Sequence, residues 1–361
     1  MPNIGQNFLE NANLKIKPSE SELEFCVFGR GFGECIVIGI GEDYIVIDSF
    51  NNPITHNPIA LDYLDAMEVP YDHIKDVIVS HWHTDHIAGI STILDASKNV
   101  KVVLSPIIHE NKFHFFISLG IQQNQYSTSE FAKVLQYIKK RGINCVKCPT
   151  ANTKIFGNAT LSNVELYSLS PQSYEIFDYI SSLISENLGQ KTSYEYDDDN
   201  LLSIVLMLKY TNDGILLGGD LETSCNKNKG WDAIVNNYEL DVKSSVFKIP
   251  HHGSVTGHCK GVWETLLCHK PVSILTTYNK GYKLPKESDI DRIKSLSKKL
   301  YIVGNNMKED KDAEHRARKV LRGIKIKSIS NEIGMVRYRR NLQNLSVPPK
   351  IECFGATHQI V

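Results

Sequence analysis

The segment VIVSHWHTDHIAGI places His81, His83, Asp85 and His86 within six residues. Extended backbone sends alternate side chains to the same side, so His81 and His83 can present both imidazoles to one metal ion. The chain then turns, and Asp85 with His86 can reach a second ion close by. Three imidazoles and a carboxylate suit zinc, iron or manganese better than calcium. Surface histidines on an ordinary loop are the competing explanation. The apolar run before His81 and the helical pattern after His86 favour the metal.

A two-metal site needs more donors, and further candidates stand where strands should end. Asp220 closes GILLGGD, and its two carboxylate oxygens can bridge two ions. A helix cap before Leu221 is its alternative role. His251 and His252 follow SVFKIP and precede Gly253 and Ser254. One of the two is expected to bind metal, the other to touch substrate or move a proton, and their order stays open. Gly253 and Ser254 can turn backbone N–H groups toward an anionic oxygen. Asp48, at the end of YIVID, is placed either to orient a ligating histidine or to make a strand-end turn. His258 is a loop histidine within reach of the site mouth. Arg30 and Lys248 can hold a phosphate near the site edges or be plain surface charge. Asp85, Asp220 and His252 are the residues expected to serve the chemistry as well as the binding.

These residues need rigid elements behind them. Phe25–Phe28 and Cys35–Ile40 flank a glycine-rich turn and predict a β-hairpin, with Tyr44–Asp48 as a third strand. Asn57–Met67 predicts a helix, Ile74–Ser80 a buried strand, Ile87–Ala96 a helix and Lys101–Leu104 a strand. Helical patterns near 106–141 and 172–196 look like insertions that roof or flank a site, the first carrying the aromatic run Phe113–Phe116. Strands return at Leu202–Tyr210, Gly214–Gly218 and Ser245–Ile249. Helix Asp289–Ser297, strand Leu300–Val303, helix Asp312–Leu321 and strand Gly334–Tyr338 close the chain. Without internal repeats or low-complexity linkers, residues 1–361 predict one α/β domain of two sheets between helices.

Composition is that of a water-soluble globular protein, with 42% hydrophobic and 22% charged residues. No stretch approaches the roughly 20 apolar residues of a membrane span, and no secretory leader is expected from MPNIGQNFLE. Eight scattered cysteines point to a reducing, cytoplasmic setting, with Cys145 and Cys148 as two half-buried thiols. Net charge is −1, yet residues 292–340 carry fifteen Lys or Arg against five Asp or Glu. That basic C-terminal part can face nucleic acid, or be a solvated helix and edge strand.

Taken together, HWHTDH, GGD and PHHGS resemble the metallo-β-lactamase superfamily. Within it the chain resembles the branch that contains the hydrolase domain of ComEC-type competence proteins and their stand-alone relatives. The turn GRGFGE, ending at Glu34, and the NxxS segment Asn200–Ser203 add to the likeness, which runs from about Phe25 to Val303. The resemblance implies an αββα four-layer sandwich with helical insertions and two divalent metal ions, zinc or manganese, at one edge. It makes His81, His83, Asp85, His86, Asp220 and one of His251 and His252 the ligands. Many members carry a further metal-binding histidine before the bridging aspartate, for which His109 and His114 are the candidates. ComEC-type domains often have Gly-His-Pro after the last core strand, where this chain has Lys283-Leu284-Pro285.

The expected activity is therefore metal-dependent hydrolysis, with phosphodiesters of DNA as the leading substrate. A small phosphodiester, such as a cyclic nucleotide or phosphocholine-type ester, is the second expectation. The third is a metal-stabilised regulatory or binding module of a larger assembly. Stand-alone relatives are encoded beside ATPases in bacterial defence loci, so the resemblance also implies an ATPase partner. No membrane association is expected, and the sequence fixes no oligomeric state.

Overall fold

The computed structural model describes residues 9, 11–106, 126–158, 161, 163–187, 199–304 and 333–360. The first sheet begins with β1 (Glu22–Gly29), β2 (Glu34–Ile40), β3 (Asp43–Ile47), β4 (Ile74–Val79), β5 (Lys101–Leu104) and β6 (Val146–Lys147). The second takes β7 (Thr153–Gly157), β8 (Val164–Ser168), β9 (Leu206–Tyr210), β10 (Asp213–Leu217), β11 (Ser244–Lys248), β12 (Leu267–Thr276) and β13 (Lys299–Val303). β14 (Gly334–Asn341) and β15 (Lys350–Gly355) then return to the first sheet beside β1, and β16 (Thr357–Ile360) closes the second beside β13.

Alternation along the strands divides the apolar residues among three cores. In β2, Ile36, Ile38 and Ile40 enter the core between the sheets, while Cys35 and Val37 face the other way. In β10, Ile215 and Leu217 face the middle and Leu216 the outside. Each such aliphatic side chain contributes on the order of 1.5–3 kcal/mol relative to leaving it exposed. The outer face of the first sheet is covered by α1 (Ile59–Ala66), α2 (Thr84–Ile87), α3 (Ile90–Ala96) and α4 (Tyr126–Arg141). α5 (Ser173–Asn187) follows β8 in the chain. α6 (Gly230–Asn236), α7 (Lys260–Thr265) and α8 (Glu287–Leu296) bury Trp231, Ile234, Val262 and Ile293 against the second sheet. Two sheets between two helical layers are the αββα arrangement expected, a mixed α/β architecture.

Several boundaries differ from expectation for physical reasons. The helix expected over Ile87–Ala96 is broken at Gly89 (φ +87°), where a Cβ would meet Asn51 Oδ1 at 2.3 Å. The break frees the His86 carbonyl to accept from Ser49 N at 2.7 Å, tying the histidine loop to the end of β3. The stretch expected to be strand from Leu202 becomes strand only at Leu206, after a 3-10 turn at Asp199–Leu202. β12 went unread in the sequence. α4 and α5 lie within the two expected helical stretches, whereas 107–125 and 188–198 lie outside the described residues. So do His109, His114, the Phe113–Phe116 run and the helix expected at Asp312–Leu321.

Of the basic part 292–340, residues 305–332 also fall outside the described set. Arg337 and Arg339 in β14 are buried, Arg337 paired with Glu352 at 2.8 Å and Arg339 with Glu24 at 2.6 Å. Their charge holds the sheet rather than facing a ligand. No described helix is long and apolar enough to cross a membrane.

Candidate metal centre

β3 and β4 run parallel, as do β10, β11 and β12, and their carboxyl ends meet at one edge of the sandwich. Ligand sites in parallel sheets gather at such ends. Asp48 leaves β3, His81 leaves β4, Asp220 follows β10, His251 and His252 follow β11, and Thr276 ends β12.

Three groups of candidate donors share His86 there: His81–His86–Asp220 and Asp85–His86–His252, which include residues lining the cavity, and Glu34–Asp48–His86, with donor atoms in each within 4.8 Å of one another. His86 Nε2 lies 3.6 Å from Asp85 Oδ2 and 3.4 Å from Asp220 Oδ2. His252 Nε2 lies 3.3 Å and 3.5 Å from the same two oxygens. Nε2 of His86, Nε2 of His252 and Oδ1 of Asp220 are buried with no hydrogen-bond partner among the described residues. Buried imidazoles and carboxylates facing one another with donor atoms left over fit divalent cations.

Read along the chain, His81 pairs with His83; here His81 also falls in a set with His86, and the His83 ring packs 4.6 Å from that of His81 and lines the same cavity. His252 joins a donor set, while His251 turns Nδ1 to Glu222 Oε1 at 2.6 Å. Both histidines adopt left-handed backbone, at φ +46° and +51°. Strand alternation therefore does not apply to them.

Each gathered histidine is held from behind. Asp48 Oδ2 meets His86 Nδ1 at 2.8 Å. Asp48 also accepts from Ser80 N at 2.8 Å and Ser80 Oγ at 2.7 Å, and Ser80 Oγ lies 3.0 Å from His81 Nδ1. His252 Nδ1 lies 3.0 Å from Thr276 Oγ1, which donates to Glu34 Oε2. Such partners fix ring orientation and tautomer, so that Nε2 is the atom offered to the cavity. Glu34 in turn pairs with Lys248 Nζ at 2.5 Å, and neither side chain is exposed at all.

Lys248 is thus neither a phosphate contact nor a surface charge. It pairs with the Glu34 carboxylate beneath the site. The Gly253 and Ser254 amides are also committed elsewhere, donating to Pro250 O at 3.0 Å and His251 O at 2.9 Å. Arg30 donates to Phe32 O at 2.9 Å. His258 packs its ring 6.3 Å from that of Trp263 and does not line the cavity. Burial and then Arg292 hold its pKa below the ordinary histidine value.

Burial opposes charge at Asp48, Asp85, His86 and Asp220, yet mutual attraction outweighs it at three of them. His86 is raised well above the usual imidazole value, as Asp220, Asp85 and Asp48 overcome its burial. Asp85 is lowered and Asp220 lowered strongly, burial being overcome first by His86 in both cases. At Asp48 burial wins and lifts the carboxyl.

The cavity above these groups measures about 250 Å³ and is lined by His83, Asp85, Asp220, His251, His252 and Tyr278, among others. Buried donors from three strand-end loops are thus gathered at one edge of an αββα sandwich.

Residues 28–125 match the metallo-beta-lactamase superfamily. The match covers Asp48 and the HWHTDH loop, and the second sheet's donors lie beyond it. Among solved structures, the metallo-beta-lactamase fold protein YhfI from Bacillus subtilis is 12% identical. That likeness covers 81% of this chain and 98% of YhfI, with a TM-score of 0.41. Igni18, a metallo hydrolase from Ignicoccus hospitalis, is 13% identical over 78% of this chain and 95% of its own, with a TM-score of 0.43. No curated protein matches.

Sequence reasoning missed Ser80, Glu222, Thr276 and Tyr278. Glu222 stood only two residues past Asp220, an acid near an acid at a strand end, and was open to notice. Thr276 carried no signal once β12 was unread.

Proposed function

We propose that the chain is a metal-dependent phosphodiesterase acting on nucleic acid, with DNA foremost, in the manner of the ComEC-type branch it resembles. The observation that carries this reading is the pair of overlapping donor sets sharing His86 at the sandwich edge. Two divalent ions bound there, zinc or manganese, would supply Lewis acidity and lower the pKa of water toward neutrality. His81, His83, Asp85, His86, Asp220 and His252 would hold them. Asp48, Ser80 and Thr276 keep the imidazoles turned the right way.

His251, held at Nδ1 by Glu222 and lining the cavity, is the residue assigned to protonate the leaving oxygen. Anionic substrate is favoured by the segment Tyr278–Lys286, which carries exposed Lys280, Lys283 and Lys286 and no acidic residue. Cations along one rim draw in a phosphate backbone. A protein partner such as an ATPase belongs to the same proposal and rests on the resemblance. A cavity of about 250 Å³ would also admit a small phosphodiester, which is the second reading.

The test is hydrolysis of plasmid, single-stranded DNA, RNA and bis-(p-nitrophenyl) phosphate, with Zn²⁺ and Mn²⁺ supplied separately and Asp220→Ala as control. Polymer cleavage that the variant loses supports the nuclease. Cleavage of the small ester alone moves the second reading forward. Metal uptake without any cleavage favours a regulatory module.

A further inference from the structure

Three rings lead outward from the donor cluster. The His252 ring lies 5.3 Å from that of Tyr278, and Tyr278 lies 5.3 Å from Tyr282, each pair tilted by 38°. Both tyrosines line the same cavity as Asp85, Asp220 and His252. Tyr282 is 58% exposed, a large ring at the mouth of the site.

The wall is braced. Phe32 meets Tyr278 edge-on at 5.8 Å, and Lys280 Nζ sits 4.3 Å from the centre of the Phe32 ring. Tyr278 and Leu284 exchange two backbone hydrogen bonds of 2.9 Å, and the Leu284 side chain is buried. The loop between them is therefore a pinned hairpin presenting a flat ring. It occupies the stretch where ComEC-type relatives are expected to carry Gly-His-Pro.

We propose that Tyr278 and Tyr282 form a base-stacking subsite, taking the nucleobase of an unpaired nucleotide whose phosphate lies at the donor cluster. The proposal rests on the phosphodiesterase reading and names the substrate class for that site. A π-face accepts any base, so affinity is gained without sequence preference, while the exposed lysines beside Tyr282 follow the backbone. A base inside a duplex has both faces covered and cannot reach Tyr282 unless it leaves the stack. Single-stranded nucleic acid is the matching polymer.

Calorimetric titration of the zinc-loaded full chain tests this without catalysis, comparing thymidine 5′-monophosphate with deoxyribose 5-phosphate. The two share a phosphate and a sugar and differ by the base. Stacking is worth about 1–3 kcal/mol per base, so the nucleotide should bind roughly five- to 150-fold tighter. Tyr282→Ala should collapse that ratio toward one, and Tyr282→Trp should restore or widen it, which a merely structural role would not do. Equal affinities for the two ligands in the unaltered protein would overturn the subsite while leaving the phosphodiesterase reading intact. If neither ligand binds, both fall together.

Discussion

At the first sheet's edge, His81, Asp85 and His86 come from one short loop, and Ser80 and Asp48 tie that loop to its own sheet. At the second sheet's edge, Asp220 and His252 come from loops after two different strands. Their support comes from farther still: Thr276 from a third strand, and Glu34 from across the sandwich. The first edge is a local device that a short segment can specify. The second works only when both sheets have packed, because Lys248 and Glu34 belong to different sheets.

This contrast can be broken most severely at the shared histidine. His86→Ala removes a donor from both sets, so metal uptake and hydrolysis should both fall below detection, read by metal analysis and rate. Uptake of two ions by that variant would show that the edges bind independently. Next in size is His251→Gln, which leaves the gathered donors in place. Loss of a proton-transferring group should lower kcat by roughly 10²–10⁴-fold with metal content unchanged. A change in metal content instead would make His251 a ligand.

The buried pair separates the edges thermodynamically. Lys248→Met strands Glu34 and should cost about 3–5 kcal/mol in urea unfolding, whereas Lys248→Met with Glu34→Gln should recover most of it. Smaller still, Thr276→Val and Ser80→Ala should each weaken metal affinity about 10–100-fold, one through each edge. Equal and additive losses would mean that the edges are less different than their construction suggests.

Acidity offers the mildest probe. Attraction from Asp220, Asp85 and Asp48 overcomes the burial that would lower His86, and so favours its protonated form in the metal-free protein. A metal ion must displace that proton, so affinity should weaken as pH falls, by about tenfold per unit for one proton released. Calorimetry in buffers of different ionisation heat would show the release.

The same contrast governs how far the sequence could be read. The hairpin of β1 and β2, the strand into His81 and the HWHTDH loop announce themselves within short windows, since alternation and a dense donor motif are local signals. The order of His251 and His252 is not local. Both are left-handed, so neither points where alternation would send it. Lys248 stood in the apolar run VFKIP, and its partner Glu34 lies over two hundred residues away in the chain. Periodicity cannot connect them. Tyr278 and Tyr282 carried no signal in the sequence, because the hairpin that aims them closes through backbone bonds to Leu284.

The run of positive φ at His251, His252 and Gly253 has an evolutionary side. Left-handed backbone costs an L-residue with a β-carbon on the order of 1–2 kcal/mol, and glycine escapes most of that cost. Mutation to glycine at 251 or 252 would therefore relieve the backbone while removing an imidazole from the cavity. Selection for a sturdier chain and selection for a working one pull in opposite directions at these two codons. A lineage released from the second pressure should lose its histidines here before its sheets show any change.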